Sequence, residues 1–276
     1  MRQKLAGKGA GAPTGKDRSE MKIESNAKSR PHLAQLKISI IIPAFNEERL
    51  LAQTLGHVNT ARTAFTALGW ESELIVCDNN SKDRTADIAR AAGATVVFEP
   101  VNQIARARNR GAEAATGDWL LFIDADSHPS AALFADVAEQ IQTGRCLAGG
   151  CTVRLEAGYR IGSFVTGFWN LLSRWKRWLA GSFIFCEAAA FRSIGGFSQE
   201  LFAGEELDLS LRLQQLARQL GKEVVILHRH PLITSARKFR LYSSRELVRL
   251  FFRAIFNWKG TLTNREACHA WYDGRR

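Results

Sequence analysis

Two aspartates separated by one alanine, Asp124-Ala125-Asp126, follow the apolar run Trp119, Leu120, Leu121, Phe122 and Ile123. Residues two apart on an extended chain face the same side, so both carboxylates would leave the run together. Such a pair suits Mn²⁺ or Mg²⁺ carried on a phosphate-bearing substrate, because hard cations take oxygen ligands and keep phosphates as partners. Two solvated aspartates in a polar loop is the plainer reading. Other carboxylates stand where chemistry is conceivable. Glu47 and Asp78 follow β-branched runs, and Glu205, Glu206 and Asp208 open an amphipathic stretch. The last three could supply a general base or merely favour a helix dipole. Arg106, Arg108 and Arg110 could meet phosphates, although alternate positions on a helix cannot all face one way. His228 and His230 fit a polar loop, and a late histidine, His230, could add a metal ligand; Arg237 could contact phosphate or cap a turn.

These groups need a scaffold that delivers them to one edge. Ile38–Ile42, Glu73–Val76, Thr95–Phe98 and Trp119–Ile123 read as strands, the first and last apolar enough for burial on both faces. Between them lie helical patterns at 46–68, with Asn46 as N-cap and Glu47 and Glu48 in the first turn, at 83–92 and at 102–115. Strand and helix alternate four times, which predicts an α/β fold with a mostly parallel, Rossmann-like sheet flanked by helices. Ligands in such sheets bind beyond the carboxyl ends of the strands, where Glu47, Asp78, Asp124 and Asp126 stand. Further on come a helix from Pro129, a strand at 147–155, a helical stripe at 160–179, a short strand at 182–186, helices at 188–194 and 204–220 and a strand at 224–227. Residues 228–238 read as a polar loop.

The chain has 276 residues, with 46% hydrophobic and 24% charged content, ordinary for a globular protein. Its net charge of +11 is uneven. Residues 1–37 hold nine Lys/Arg against three Asp/Glu, residues 228–276 hold eleven against three, and the middle holds eighteen against twenty-one. A net acidic middle argues against nucleic acid as partner, while basic ends suit phosphates or an anionic membrane surface. Residues 1–36 are poor in large apolar side chains and are expected to form a disordered basic tail. They also lack a secretory apolar segment, and no apolar run approaches the roughly 18 to 20 residues that span a bilayer. Five cysteines without a Cys-x-x-Cys pair suggest reduced thiols. A cytoplasmic protein is expected, peripheral at the inner face of the membrane if its basic parts meet lipid.

The motifs IIPAFNEE at 41–48, VCDNNSKDRT at 76–85, ARARNRGAEAATGDWLLFIDAD at 105–126, FRSIGGF at 191–197 and GEELDLSLRL at 204–213 together resemble the family 2 glycosyltransferases of GT-A fold. The resemblance covers about residues 38–240. It implies a metal-dependent, inverting transfer of sugar from a nucleotide-diphosphate sugar to a glycan, lipid-linked or small-molecule acceptor. On this resemblance Pro43, Ala44, Glu47, Asp78, Arg106, Arg110 and Asp124 would line the nucleotide-sugar, Asp126 with Asp124 would hold the metal, and Glu206, beside Glu205 and Asp208, would take the acceptor proton. Glu206 stands where the family commonly has Asp, which leaves the base open among the three. The domain expected is 37–240, with a nucleotide-binding half to about 127 and an acceptor half from 128, followed by a basic amphipathic helix and tail at 241–276.

Two other readings compete. A nucleotidyltransferase of related fold would carry a Gly-rich loop after the first strand, and Pro43-Ala44-Phe45-Asn46 is not one. A non-catalytic peripheral membrane-binding protein would rely on the basic ends. The aromatic stretch 160–179, with Trp169, Trp175 and Trp178 beside Arg174, Lys176 and Arg177, reads as a core helix with snorkelling basic residues, or as one resting on a membrane.

Overall fold

The computed structural model describes residues 35–156 and 160–235, together with Arg237 and Thr263; for 160–165 only the backbone is described. The tail expected at 1–36, apart from its last two residues, and the helix expected at 241–258 lie outside the described residues. The elements run β1 (Lys37–Ala44), α1 (Leu51–Ala61), α2 (Thr63–Thr66), β2 (Glu71–Asp78), α3 (Thr85–Ala91), β3 (Thr95–Phe98), α4 (Ile104–Ala114), β4 (Trp119–Ile123) and β5 (Ser127–His128). They continue with α5 (Ala131–Gln142), β6 (Cys146–Leu155), α6 (Arg160–Lys176), β7 (Phe183–Glu187), α7 (Ala188–Ser193), α8 (Glu205–Gln219) and β8 (Glu223–Thr234).

Among the described residues all eight strands join one sheet in the order β3-β2-β1-β4-β7-β6-β8-β5. The four strands read from apolar runs, β1 to β4, are mutually parallel. β7 then inserts antiparallel between β4 and β6, and β8 returns parallel to β6. Both halves of the chain therefore build one continuous sheet. Its centre is dry: every residue of β4 is buried, as are all but the first of β1. Each large apolar side chain so buried contributes about 1.5–3 kcal/mol relative to exposure. Phe122, Phe191 and Phe197 stack beside β4 with ring centroids 5.1 to 5.6 Å apart, locking α7 and the turn after it onto the sheet.

The register fixes where the polar exits fall. Ala44 pairs with Asp78, and Asp78 in turn with Phe98, so the first three strands end in line. Pro43, which cannot donate, sits beyond the last β1–β4 pair, Ile41 with Phe122, where no ladder bond on that side is lost.

Three expectations change. The first helix starts at Leu51, not Asn46. Asn46 adopts φ +53 and its side chain accepts from the Lys82 backbone N–H, so it shapes a turn between two loops instead of capping a helix. The extended geometry does not persist through Asp124-Ala125-Asp126: the Ser127 N–H donates to the Asp124 carbonyl, closing a turn that aims the two carboxylates at different partners. The polar loop expected at 228–238 is instead strand to Thr234: the register shifts across 228–231, then Leu232–Thr234 pair with β6 and Ile233 and Thr234 with β5, and Leu232 is fully buried. Among the described residues no helix is long and apolar enough to cross a membrane.

Candidate active site

The loops after β1 and β2 are built as one unit. Asn79 donates its backbone N–H to the Ala44 carbonyl, Ser81 Oγ accepts from the Asn46 N–H, and Thr85 Oγ1 accepts from the Glu47 N–H. Asp78 is buried, and its Oδ1 accepts the Ser81 N–H at 2.9 Å, so the carboxylate is held at the sheet edge beside Ala44. Asp83 Oδ2 accepts the Glu48 N–H, tying the start of α3 to the same loop.

Across the edge, the centre of the site is Arg108, only 1% exposed, on α4. Its Nη1 donates to Glu205 Oε1 at 2.7 Å, and its Nη2 donates to Asp124 Oδ1 at 3.0 Å and to the Gly181 carbonyl at 2.8 Å. The guanidinium also lies 5.1 Å from the centre of the Phe197 ring. Burial alone would loosen its proton, but Asp124, Glu205 and Glu206 outweigh that and hold the charge more firmly than usual. Gly181 packs closely against this cluster: a Cβ there would lie 3.2 Å from Arg108 Nη2 and 3.5 Å from Glu206 Cδ.

Helix α8 begins after Gly204, which has φ +73, a conformation that side chains with a Cβ resist. Its first turn carries all three candidate bases, and their environments separate them. Glu205 is buried and ion-paired to Arg108. Asp208 accepts from Arg212 Nε and Nη2 at 2.9 and 2.6 Å, along the helix surface. Glu206 accepts no side-chain hydrogen bond among the described residues. Burial raises its proton affinity, the neighbouring Glu205 adds to that, and Arg108 only partly offsets them, leaving a pKa of about 8.

On the other side of Asp124, Asp126 is buried within reach of Arg237 Nη2 at 3.4 Å. Arg237 grips Glu47 with both terminal nitrogens, at 2.7 and 2.8 Å. The Ala125 carbonyl between the aspartates accepts from Thr54 Oγ1, and the Asp126 carbonyl accepts the Ser235 N–H, so the turn is anchored to α1 and to the end of β8. Among the described residues no three His, Cys, Asp or Glu side chains form a metal cage. The donor set instead suits an ion shared with substrate, which needs one or two carboxylates and takes the remaining ligands from phosphates and water. Asp126 and Asp124 are the carboxylates at this edge.

Of the residues singled out from sequence, Pro43, Ala44, Glu47, Asp78, Asp124, Asp126, Glu205 and Glu206 surround this one edge. Arg106 and Arg110 do not join them. Arg106 pairs with Glu99 and Gln199, and Arg110 with Glu113, along a separate cleft of about 300 Å³ lined also by Phe98, Pro100 and Asn109. Arg108 is the arginine of α4 that reaches Asp124 and Glu205. His230 is engaged elsewhere: its Nδ1 is 3.0 Å from Asp136 on α5.

Residues 39–194 match the glycosyl transferase family 2. The chain belongs to that family. It is 28% identical over 127 residues to an uncharacterized glycosyltransferase, EpsJ, from Bacillus subtilis, covering 41% of this chain and 33% of that one. The chain spans less than half the length of the curated relatives it matches. Among solved structures it resembles a mannosyltransferase from Pyrobaculum calidifontis in complex with GDP-Man and Mn²⁺, with TM-score 0.61 and 20% identity over 86% of this chain and 69% of that one. It also resembles glucosyl-3-phosphoglycerate synthase from Mycobacterium tuberculosis, with TM-score 0.56 and 20% identity over 84% of this chain and 80% of that one. The fold is thus GT-A. The family match spans Asp78, Arg108, Asp124 and Asp126, whereas Glu205, Glu206 and Arg237 lie beyond its end.

Proposed function

We propose that the chain is an inverting glycosyltransferase that moves a sugar from a nucleoside-diphosphate sugar to an acceptor hydroxyl with the help of Mn²⁺ or Mg²⁺. The observation that carries this reading is the division of labour around Arg108. The guanidinium commits Glu205 and Asp124, and Glu206 is left beside them with a raised proton affinity. A base is most effective when its pKa lies near working pH, and Glu206 meets that condition.

In this reading Asp78 and the loop Pro43–Glu47 receive the nucleoside, and Asp126 faces the diphosphate. A divalent ion bound there would neutralise charge developing on the leaving diphosphate. Asp124, fixed by Arg108, borders the sugar. The acceptor oxygen attacks the anomeric carbon as the bond from that carbon to the diphosphate oxygen breaks. Glu206 receives the acceptor's proton, and the nucleoside diphosphate departs on the opposite face, inverting the centre. The acceptor is a glycan, a lipid-linked molecule or a small molecule. Family membership favours glycosyl over nucleotidyl transfer and over a purely binding role.

A thermal-shift panel of UDP, GDP, dTDP and CDP, each with and without Mn²⁺, tests the donor half. A ligand at one hundred times its dissociation constant adds about 2.7 kcal/mol to native stability, so one nucleotide should stand out and only with the ion. Release of that nucleoside diphosphate from its sugar conjugates then tests transfer. No response to any nucleotide with Mn²⁺ defeats the proposal.

A further inference from the structure

Helix α6 turns polar groups inward and a row of apolar ones outward over 168–175. Its polar side faces the protein: Asn170 donates to the Val153 carbonyl and accepts from the Val153 N–H of β6, and the buried Ser173 donates to the Trp178 carbonyl. Three of its apolar side chains face outward, while Trp169 and Leu172 are half-buried. Phe168, Leu171 and Trp175 are 60%, 67% and 73% exposed. Their spacing, three and then four residues, lines them on one helical face. A contiguous apolar stripe on an otherwise polar surface marks something that covers it.

The surroundings specify what. Arg174, Lys176 and Arg177 are all exposed at the end of the stripe, with Lys176 Nζ 3.9 Å from the centre of the Trp175 ring. Next to Trp175 a cleft of about 380 Å³ is lined by Lys176, Arg177, Arg218 and Lys222 as well as Gln214. Glu223 and Glu187 pair with Arg177 and Lys222, which leaves the cleft net basic. An apolar stripe able to enter the acyl boundary, a tryptophan at its end and cations beside it are the parts of a helix that lies in a membrane interface.

We infer that α6 is the membrane-docking face of this protein, seating Phe168, Leu171 and Trp175 in the interface of an anionic bilayer with the basic cleft against lipid phosphates. The inference goes beyond the transfer reaction and stands without it. It also explains a connection in the chain. The segment leaving α6 runs within five residues to Gly181, whose carbonyl binds Arg108 and whose backbone abuts Glu206. Docking through α6 therefore sets the acid cluster beside the lipid surface.

Co-sedimentation of the full chain with vesicles tests this, using phosphatidylcholine alone against equal parts phosphatidylcholine and phosphatidylglycerol, at low and high salt. Wild type should pellet with the anionic vesicles at low salt and much less at high salt. The pair Leu171→Ser/Trp175→Ser should weaken binding at least about tenfold, as should Arg174→Glu/Lys176→Glu, since each lost cation near the surface removes a substantial share of the attraction. Both should keep the wild-type melting temperature and nucleotide response, because these side chains are exposed. Undiminished binding by the Leu171/Trp175 pair would assign membrane contact to the basic ends and overturn the proposal. So would absent wild-type binding, or a wild-type dimer in sedimentation that this pair converts to monomer, which would make the stripe a subunit interface.

Discussion

Arg237 and Glu47 form a bidentate pair, 2.7 and 2.8 Å, between residues 190 apart in sequence. The pair staples the exit of β8 to the loop after β1, across the mouth where Asp126 lies. Both partners are largely buried, so neither charge is left to water. Breaking a buried pair by removing one member costs about 3–5 kcal/mol, whereas replacing both costs much less. Arg237→Met should therefore lower stability in urea by an amount of that order, Glu47→Gln likewise, and the double variant should lose clearly less than the sum. Additive losses would show that the pair is not coupled.

Arg108 is the second such case and the more demanding one. Its two terminal nitrogens serve Asp124, Glu205 and the Gly181 carbonyl, so a lysine cannot replace all three contacts. Arg108→Met should destabilise by about 3–5 kcal/mol because Glu205 stays buried without a partner. Arg108→Met/Glu205→Leu should recover part of that loss. Wild-type stability in the single variant would mean that Glu205 simply takes a proton and the pair contributes nothing.

The sheet was legible because burial on both faces demands unbroken apolar runs, and Ile38–Ile42 and Trp119–Ile123 meet that demand directly. Half of β8 was not, because His228, Arg229 and His230 are exposed there and the pairing that resumes at Leu232 comes from β6 and β5, partners far away in sequence. Asn46 misled because the same side chain that caps helices also tolerates positive φ in a turn. The arginines show what phase could have told. Arg106 and Arg110 are four apart and share one face, while Arg108 shares the other with Ala105, Gly111 and Ala112. Small residues mark the side of a helix that lies close on a sheet, and a Cβ at Gly111 would come 2.4 Å from Ile41 Cγ2. The i,i+4 spacing of Asp208 and Arg212 on α8 could have set Asp208 apart, but no local signal separates Glu205 from Glu206, because Arg108 arrives from α4.

Acid and alkaline limbs of stability should come from two different glutamates. Glu206 titrates near 8 in the folded protein against about 4.5 unfolded, so the native state holds a proton that the unfolded chain releases. Stability should fall as pH rises through that window, and Glu206→Gln should remove the fall. Its melting temperature should exceed wild type above pH 8 and converge with it below 4.5. Glu73 behaves oppositely. Burial works against its charge, but hydrogen bonds from Ser39, Thr116 and Lys37 prevail and lower it to about 2. Its contribution is complete above 4.5 and should disappear as pH falls toward 2, a limb that Glu73→Gln should abolish. Calorimetry across pH measures both; parallel curves for Glu206→Gln and wild type would refute the Glu206 assignment.

In the proposed reaction Asp126 faces the donor phosphates and Glu206 the acceptor hydroxyl, so the two should fail in different ways. Asp126→Asn removes a charged ligand from a hard cation, so Mn²⁺-dependent nucleotide binding should weaken in calorimetric titration. Glu206→Gln keeps the shape and removes the proton acceptor. Nucleotide and Mn²⁺ should bind as in wild type, while transfer drops about 10²- to 10⁴-fold, the range for a lost general base. The wild-type rate should rise with pH toward the Glu206 pKa of about 8, since only the ionised carboxylate accepts a proton, and this limb should vanish in Glu206→Gln. Asp208→Asn is the comparison: its carboxylate is occupied by Arg212, so transfer should change little. Collapse of transfer in Asp208→Asn with near-normal transfer in Glu206→Gln would move the base to Asp208. Near-normal transfer in both, and in Glu205→Gln, would rule out base catalysis from the start of α8.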